Sequence, residues 1–208
     1  MKVVLDAVTK GKAQGALPET SATYETGRAT LAVAETEQRP TVLGLVASGR
    51  MKIDSGSVTI DGRADAGRIR RRVALVDAPV VSEPEANVTV TGVVAEELMF
   101  AGHAPTPFAA QRWLEGLGLE SLASVPIGNV DPPQRIRLLL ELAALRKGVD
   151  GLVLVAPDRH GGEPAAWWRI AEEFAERGYA VLVIAGHASL TAISTLEAAE
   201  QPAEEDAR

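Results

Sequence analysis

The side chains that could act as nucleophiles or metal ligands are few in this sequence and widely spaced. The chain has no cysteine, which excludes disulfides, thiolate metal sites and thiol nucleophiles. Its three histidines, His103, His160 and His187, lie far apart, and we expect them to lack close carboxylate partners. A serine nucleophile would need a strained G-x-S-x-G turn, which Ala47-Ser48-Gly49 does not match. The sequence therefore predicts neither a metal site nor a nucleophilic triad.

The composition is typical of one globular domain, with or without a small extra lobe. Hydrophobic residues make up 46% and charged residues 24% of 208 positions, which is enough apolar material for a sizeable core. The net charge of −7 argues against nucleic acid as a partner, because phosphate binding needs an excess of Lys and Arg. We interpret the basic run at residues 68–72 as a solvated segment leading into a strand.

Neither a signal peptide nor a transmembrane segment is visible in the sequence. No apolar run approaches the roughly 20 residues that span a bilayer. We therefore expect a cytoplasmic chain with no direct membrane insertion, whose contact with a membrane would depend on a partner.

Short apolar runs in the first third of the chain predict strands. Residues 1–5 are predicted to form an edge strand, and residues 29–34 and 73–76 two further strands. Residues 55–62 alternate in polarity and end in Asp-Gly, which predicts a strand that runs into a turn. Residues 11–28 contain scattered Gly, Pro, Ser and Thr, and we predict loops and turns there.

Helical periodicity dominates the middle of the chain. It predicts helices at residues 93–101, 107–117 and 134–147, with Gly118 ending the second. The third helix is apolar on nearly every face and is therefore expected to be buried.

A strand–helix–strand unit follows. Strands at residues 152–155 and 179–185 flank a helix that begins at Pro164, and this order implies parallel pairing with a right-handed crossover. We interpret Trp167 and Trp168 as one core and one partly exposed residue. The alternative that Trp168 anchors an interface stays open.

In order and spacing, these elements resemble the nucleotide-binding domain of ATP-binding-cassette (ABC) transporters, from about Val3 to about Ile193. The matching segments are the helix after the P-loop and its hairpin (residues 41–49 and 54–62), the strand before the Q-loop (72–76), the start of the helical subdomain (88–98), the helix behind the signature motif (134–138), the Walker B strand (152–157) and the strand that ends at the switch histidine (178–184, then His187).

The resemblance implies an α/β fold of the P-loop NTPase type, that of ABC ATPases. We expect a mixed or parallel sheet core, an antiparallel β region at the N-terminal end and a reduced helical subdomain. One domain would cover residues 1–198, with the helical subdomain at roughly 88–133 and a flexible acidic tail at 199–208. A fold does not by itself establish an activity.

The segment that corresponds to the P-loop lacks most groups that phosphate binding needs. A P-loop, GxxxxGK[ST], uses glycine amides, a lysine and a hydroxyl. Here the segment reads Ala-Glu-Thr-Glu-Gln-Arg-Pro-Thr, where Pro40 replaces the lysine and removes a backbone donor. Glu35 and Glu37 place negative charge near the phosphates, and like charges ~4 Å apart repel by about 4 kcal/mol at an effective dielectric constant of about 20. Thr41 is retained, and the alternative that Arg39 replaces the lysine stays open.

The positions that correspond to the Walker B acids are also changed. The resemblance places the magnesium-binding aspartate at Val155 and the catalytic glutamate at Ala156, and neither side chain carries an oxygen. Asp158 lies two residues too late, and we interpret it as a turn residue. His187 is in register with the switch histidine, and we interpret it as structural.

The signature motif and the Q-loop show comparable changes. Where the family has LSGGQ, this chain has Val followed by Asp131, Pro132, Pro133 and Gln134. The two prolines remove amide donors, and the aspartate adds a charge that repels phosphate. The Q-loop glutamine corresponds to the region of Asp77.

These changes predict a pseudo-ATPase with no bound cofactor or metal, since phosphoryl transfer depends on the groups that are missing. The leading hypothesis is a non-catalytic subunit docked under a transmembrane permease-type protein at the inner face of the cell membrane, as a homodimer or beside a second ABC ATPase subunit. In the family, the permease's coupling helices enter a cleft that corresponds to residues 77–99. Two alternatives remain: a soluble regulatory or protein-interaction module that uses the vacated nucleotide cleft, and an atypical but active ATP-binding transporter subunit.

Overall fold

A computed structural model describes residues 1–36 and 38–200 of this chain. The strands are β1 (Lys2–Lys10), β2 (Leu17–Glu25), β3 (Arg28–Val33), β4 (Ser55–Ile60), β5 (Val73–Val76), β6 (Gly151–Val155) and β7 (Ala180–Ala185). The helices are α1 (Arg39–Ala47), α2 (Ala66–Arg72), α3 (Val90–Phe100), α4 (Pro107–Leu117), α5 (Pro132–Ala144), α6 (Pro164–Glu176) and α7 (His187–Glu200), with short 3-10 turns at Lys12–Gln14, Glu120–Leu122, Ile127–Asn129 and Pro157–His160.

A parallel sheet with the strand order β3-β7-β6-β5 forms the centre of the fold. Every residue of β6 and β7 is buried, as is typical of strands that are covered by helices on both faces. The predicted parallel pairing of the strand–helix–strand unit is confirmed, with Leu152 opposite Val181. These strands could be predicted from the sequence because both of their faces are buried, so their residues form continuous apolar runs.

The N-terminal sheet is antiparallel with the order β2-β1-β4, so two sequence predictions for this region are wrong. β1 lies in the centre of the sheet instead of at its edge. β1 also continues beyond Leu5. The prediction stopped at Leu5 because a register shift between Leu5 and Val8, at which Ala7 has a φ of 47°, interrupts the apolar alternation. Residues 17–25 form a strand instead of loops.

β2 escaped prediction because it is an edge strand with one solvated face. It buries Leu17 and Tyr24 and leaves most of its other side chains exposed or half-buried. The Tyr24 hydroxyl donates a hydrogen bond to the Ala47 carbonyl oxygen at 2.8 Å, which fastens the antiparallel sheet to the end of α1. A strand with so few apolar positions gives a weak sequence signal.

The basic run at residues 68–72 lies in α2 and not in an extended segment before β5, which corrects the prediction. The Asp65 side chain accepts a hydrogen bond from the Arg68 amide at 2.8 Å and so caps the helix. Ile69 is fully buried, while the guanidinium of Arg68 lies 2.7 Å from the carboxylate of Asp61.

Helix α1 packs closely on the parallel sheet at Gly44. A Cβ atom at Gly44 would lie 2.7 Å from Cγ2 of Val155 and 3.1 Å from Cδ1 of Leu75. A residue with a side chain would force the helix away from β6, so this glycine sets the distance between α1 and the sheet.

On the other face of the sheet, α5 and α6 cover the core. α5 begins at Pro132 and ends at Ala144, so it lies two to three residues earlier than predicted. Both tryptophans of α6 are buried, with Trp168 only 4% exposed, so the prediction of a partly exposed tryptophan is wrong.

Residues 88–133, the predicted helical subdomain, contain α3 and α4. Helix α3 begins at Val90 because the Thr89 hydroxyl accepts a hydrogen bond from the Gly92 amide at 3.2 Å. Gly118 ends α4 in a left-handed conformation, as predicted. Of the predicted tail, residues 199 and 200 belong to α7 and the rest lie outside the described residues. Over residues 1–36 and 38–200, none of the helices combines the length and apolar character that crossing a bilayer requires.

Candidate functional site

The candidate site lies at the carboxyl ends of the parallel strands, which is where open α/β folds bind ligands. β3 leads to Glu35, β5 to Asp77, β6 to Ala156 and β7 to His187. The fold therefore brings the residues that the sequence resemblance assigns to the P-loop, the Q-loop, Walker B and the switch histidine to one edge of the sheet.

The segment that corresponds to the P-loop is short and ends in α1. Thr36 has a φ of 69°, its carbonyl oxygen accepts a hydrogen bond from the Arg39 amide at 3.2 Å, and Glu37 lies outside the described residues. Pro40 occupies the first turn of α1, where it contributes no N–H group, and Thr41 is half-buried behind it. Arg39 lines a hollow of about 240 Å³ together with Glu35 and His187.

Two carboxylates face the first turn of α7. The His187 amide donates a short hydrogen bond to Oε1 of Glu35. The Gly186 amide and the Ser189 hydroxyl donate to Oδ2 of Asp158 at 2.8 and 3.2 Å. Free amides and the helix dipole make a helix N-terminus favourable for negative charge, so both acids are stabilised there. Asp158 lies in a turn, as predicted, and it also caps α7.

The two positions that correspond to the Walker B acids carry no side-chain oxygen, and their backbone oxygens are occupied. Val155 is fully buried and Ala156 has a φ of 47°. Nη1 of Arg159 donates to the carbonyl oxygens of Val155 and Ala156 at 2.7 and 3.2 Å. The Arg159 guanidinium therefore occupies the hydrogen-bond acceptors at the carboxyl end of β6.

Asp77 is the centre of a buried ion-pair network. Its side chain is completely inaccessible to solvent. Nη2 of Arg135 lies 2.7 Å and Nη2 of Arg159 3.1 Å from Oδ1, and Nε2 of His160 lies 2.8 Å from Oδ2. Arg159 also reaches the carboxylate of Glu83 at 2.9 Å. The network connects the end of β5, the start of α5 and the turn after β6.

The charges of this network compensate one another. Burial raises the pKa of the Asp77 carboxyl, but hydrogen bonds from His160 and Arg135 and the charge of Arg159 outweigh burial, so the pKa lies below its ordinary value. The carboxylate is therefore ionised at neutral pH, and Arg135 anchors it further by donating to the Ile127 carbonyl oxygen at 3.1 Å.

Sequence reasoning missed this network. The expectation that the histidines lack carboxylate partners is wrong for His160, which meets Asp77 across 83 positions of the chain. A signal for Arg135 was present, because it is in helical phase with the buried residues Leu138 and Leu142. A charged residue on an apolar helix face indicates a buried partner. No comparable pattern pointed to Arg159.

The segment that corresponds to the signature motif leads directly into this network. Asp131 precedes α5 and its side chain makes no capping hydrogen bond, while Pro132 and Pro133 form the first turn. Gln134 is exposed. The side chain of the next residue, Arg135, is buried and pairs with Asp77, so this segment contributes a buried cation to the network.

Four exposed apolar residues lie in the two segments that border the hollow at Asp77, and we call them the 80–100 face. They are Val80, Val81, Met99 and Phe100, with Val80 96% and Phe100 60% exposed. The Arg146 guanidinium, which lines that hollow, lies 5.9 Å from the centre of the Phe100 ring. Val81 lines a hollow of about 160 Å³ with Asp77, Glu97 and Arg146. Exposed apolar clusters of this kind mark interaction surfaces more often than isolated apolar residues do.

Comparison with known proteins gives matches among solved structures alone. No protein-family model matches the sequence, and no curated protein does either. A nucleotide-free ATP-binding cassette from an ABC transporter is similar to this chain with a TM-score of 0.64 and 17% identity, over 94% of this chain and 85% of that one. The chain has the fold of an ABC ATPase domain. cbiO1 from Clostridium perfringens, described as part of the ABC transporter complex cbiONQ, matches with a TM-score of 0.60 and 17% identity, over 89% of this chain and 78% of its own.

A third ABC cassette, solved in its ADP conformation, matches with a TM-score of 0.59 and 18% identity, over 89% of this chain and 82% of its own. The predicted α/β architecture, with an antiparallel N-terminal sheet beside a parallel one, is therefore confirmed. At these identities the matches establish the ABC fold and leave the activity to be argued from the site.

Replacing Asp77 by asparagine should destabilise the protein strongly. The D77N variant keeps the shape but leaves Arg135 buried without a counter-charge, and breaking such a pair costs about 3–5 kcal/mol. Urea denaturation would measure the loss. The matched control is Glu173→Gln, which breaks a surface pair with Arg137 whose side chains are 49% and 36% exposed and should cost about 0–1 kcal/mol. Equal losses in the two variants would contradict the assigned importance of the network.

The contribution of Asp77 to stability should depend on pH in the acidic range. Because its pKa is lowered by folding, the unfolded chain binds this proton more readily, and stability falls as pH falls through the native pKa. We expect the difference in unfolding free energy between wild type and D77N to shrink as the pH falls below about pH 4. Urea denaturation between about pH 5 and about pH 3 tests the sign, and a difference that grows over that interval would refute it.

Proposed function

We propose that this chain is a non-catalytic, ABC-type subunit that acts as a structural or regulatory partner of a membrane transport-type complex. On this proposal it lies on the cytoplasmic side, at the inner face of the membrane, beside a permease-type protein. It pairs with a second copy or with another ABC ATPase subunit. The support comes from the chemistry of the sheet edge and from the 80–100 face.

The groups at the sheet edge do not fit a magnesium-bound triphosphate. Magnesium prefers carboxylate and hydroxyl oxygens, and Val155 and Ala156 supply none. Phosphates need amide donors and cations, and the start of α1 has Pro40 in its first turn. Glu35 and Asp158 add negative charge at the neighbouring start of α7. On this proposal, the residues at the sheet edge supply no group for a step of nucleotide chemistry.

The single observation that carries the proposal is the guanidinium of Arg159. It donates to the two carbonyl oxygens at the end of β6 and lies 3.1 Å from Oδ1 of Asp77. The resemblance to ABC domains places the Q-loop glutamine near Asp77. It places the two Walker B acids at Val155 and Ala156. A protein cation thus joins the two motifs that magnesium and nucleotide would join in an active member of the family.

The proposed partner follows from the 80–100 face. One matched structure, cbiO1, is part of a transporter complex. The family resemblance places the entry cleft for a permease's coupling helices at residues 77–99. In this chain that region exposes Val80, Val81 and Met99, and the exposed Phe100 follows it directly. An apolar segment of a permease is the occupant that this surface favours, because burial of apolar area would drive the contact.

Isothermal titration calorimetry with Mg-ATP tests the catalytic half of the proposal. We expect no binding with a dissociation constant tighter than about 1 mM, since each displaced phosphate contact or misplaced carboxylate costs roughly tenfold or more. The Arg39→Ala variant should behave like wild type. Micromolar binding that Arg39→Ala abolishes would instead support the atypical active subunit, with Arg39 in the place of the P-loop lysine.

Substitutions on the 80–100 face test the docking half. In the cells from which the chain derives, tagged protein with Val80→Glu or Phe100→Glu should recover its permease-type partner about tenfold less than wild type, because a buried unpaired carboxylate weakens binding by at least that factor. Leu190→Glu, on the exposed side of α7, is the matched control and should recover it normally. If all three variants recover the same membrane protein equally, the face is wrong. If wild type recovers none, the soluble interaction module is favoured.

A further inference from the structure

A second cleft, on the side of the antiparallel sheet, has the features of a ligand site and shares Arg50 with the hollow at Asp77. It lies between the end of α1, strand β4 and helix α2, and its volume is about 740 Å³. Small-molecule sites commonly measure roughly 300–1,000 Å³. Its apolar wall is formed by Val46, Met51, Ile53, Val58 and Ile69.

Two glycines give the cleft its shape. Gly49, with a φ of 71°, lets the end of α1 approach α2, since a Cβ there would lie 2.6 Å from the Ala66 carbonyl oxygen. Gly56, with a φ of 84°, lets β4 approach the bulge of β1, where a Cβ would lie 2.3 Å from the Ala7 carbonyl oxygen. Both contacts are with backbone, so the walls are held at fixed distances.

Three cations line this apolar cleft. They are Arg50, Lys52 and Arg70, and the lining contains no carboxylate among the described residues. Nη1 of Arg50 donates to the carbonyl oxygens of Ser48 and Val73, both at 3.0 Å. Within residues 1–36 and 38–200, none of the three cations forms an ion pair. In a chain of net charge −7, this concentration of uncompensated positive charge is unexpected.

The carboxylates nearest in sequence are engaged elsewhere. Asp54 accepts from Nζ of Lys10 at 2.7 Å and from the Gly11 amide at 2.8 Å. Asp61 pairs with Arg68, and Asp65 caps α2. Each of these acids therefore has a partner other than Arg50, Lys52 and Arg70.

The state of Arg50 agrees with this geometry. Burial lowers the pKa of the Arg50 guanidinium, and the positive charges of Arg146 and Arg70 lower that pKa further. An anion placed beside Arg50 and Arg70 would offset the cost of burying the Arg50 charge and would weaken the repulsion between the two guanidiniums.

We propose that this cleft binds a small amphipathic organic anion. A carboxylate or phosphate headgroup would lie between Arg50 and Arg70, and the apolar body would lie along the wall formed by the half-buried Ile53 and Val58. The headgroup chemistry follows from the guanidiniums, which bind both anions through paired N–H donors. This site is independent of the proposed transport role, so each can fail without the other.

Calorimetry on the whole chain with four probes, each carrying an unbranched chain of about ten carbons and each kept below the concentration at which it aggregates, tests the proposal. We expect decanoate or decyl phosphate to bind, and the stronger of the two identifies the headgroup. Decanol and decyltrimethylammonium present the same apolar chain without the negative charge and should bind at least about tenfold more weakly. Equal affinity for all four probes, or no binding of either anion, would overturn the proposal, as would binding of a polyglutamate peptide in place of both anions.

Variants locate the site. Arg70 is exposed, so Arg70→Gln should leave thermal unfolding unchanged while it weakens binding of the better anion about tenfold. Arg112→Gln, an exposed arginine on α4, is the matched control and should bind like wild type. Arg50→Lys keeps the positive charge but loses the paired donors, and we expect an intermediate loss. If Arg70→Gln binds the anion as tightly as wild type does, the ligand lies elsewhere.

Discussion

A buried carboxylate can remain ionised only where its partners surround it, and Asp77 meets that condition with Arg135, Arg159 and His160. Desolvation alone would make a charge at this position very costly. The three partners come from two other segments, so the network is favourable only when the end of β5, the start of α5 and the turn after β6 are all in place. The Asp77 network therefore makes the stability of the folded protein depend on the correct assembly of these three segments.

This coupling gives the proposed function a physical basis. The sequence resemblance assigns the segments that meet at Asp77 to the Q-loop, the helix after the signature motif and the turn after Walker B of the ABC family. In the proposed pseudo-ATPase, side chains of the protein hold these segments in one arrangement without a ligand. A subunit of that kind presents a constant 80–100 face to its partner, whatever the nucleotide state of its surroundings.

Different parts of the fold were predictable from the sequence to different degrees. β6, β7 and the helix between them were read correctly because apolar runs and helical periodicity are local signals. β2 was missed because it is an edge strand with one solvent-exposed face. Only two of its side chains, Leu17 and Tyr24, are buried, so its apolar pattern is weak. β1 was cut short because its bulge breaks the alternation on which the prediction depended.

The sequence by itself determined which chemical groups are present at the site. Pro40 has no amide hydrogen and Val155 and Ala156 have no side-chain oxygen, and no folding can restore those groups. Tertiary structure alone decided that Asp77 meets Arg135 and His160, which are 58 and 83 positions away. It also decided that Arg50 and Arg70 line the same apolar cleft. Charges interact according to their separation in space, and the packing of distant strands and helices sets that separation.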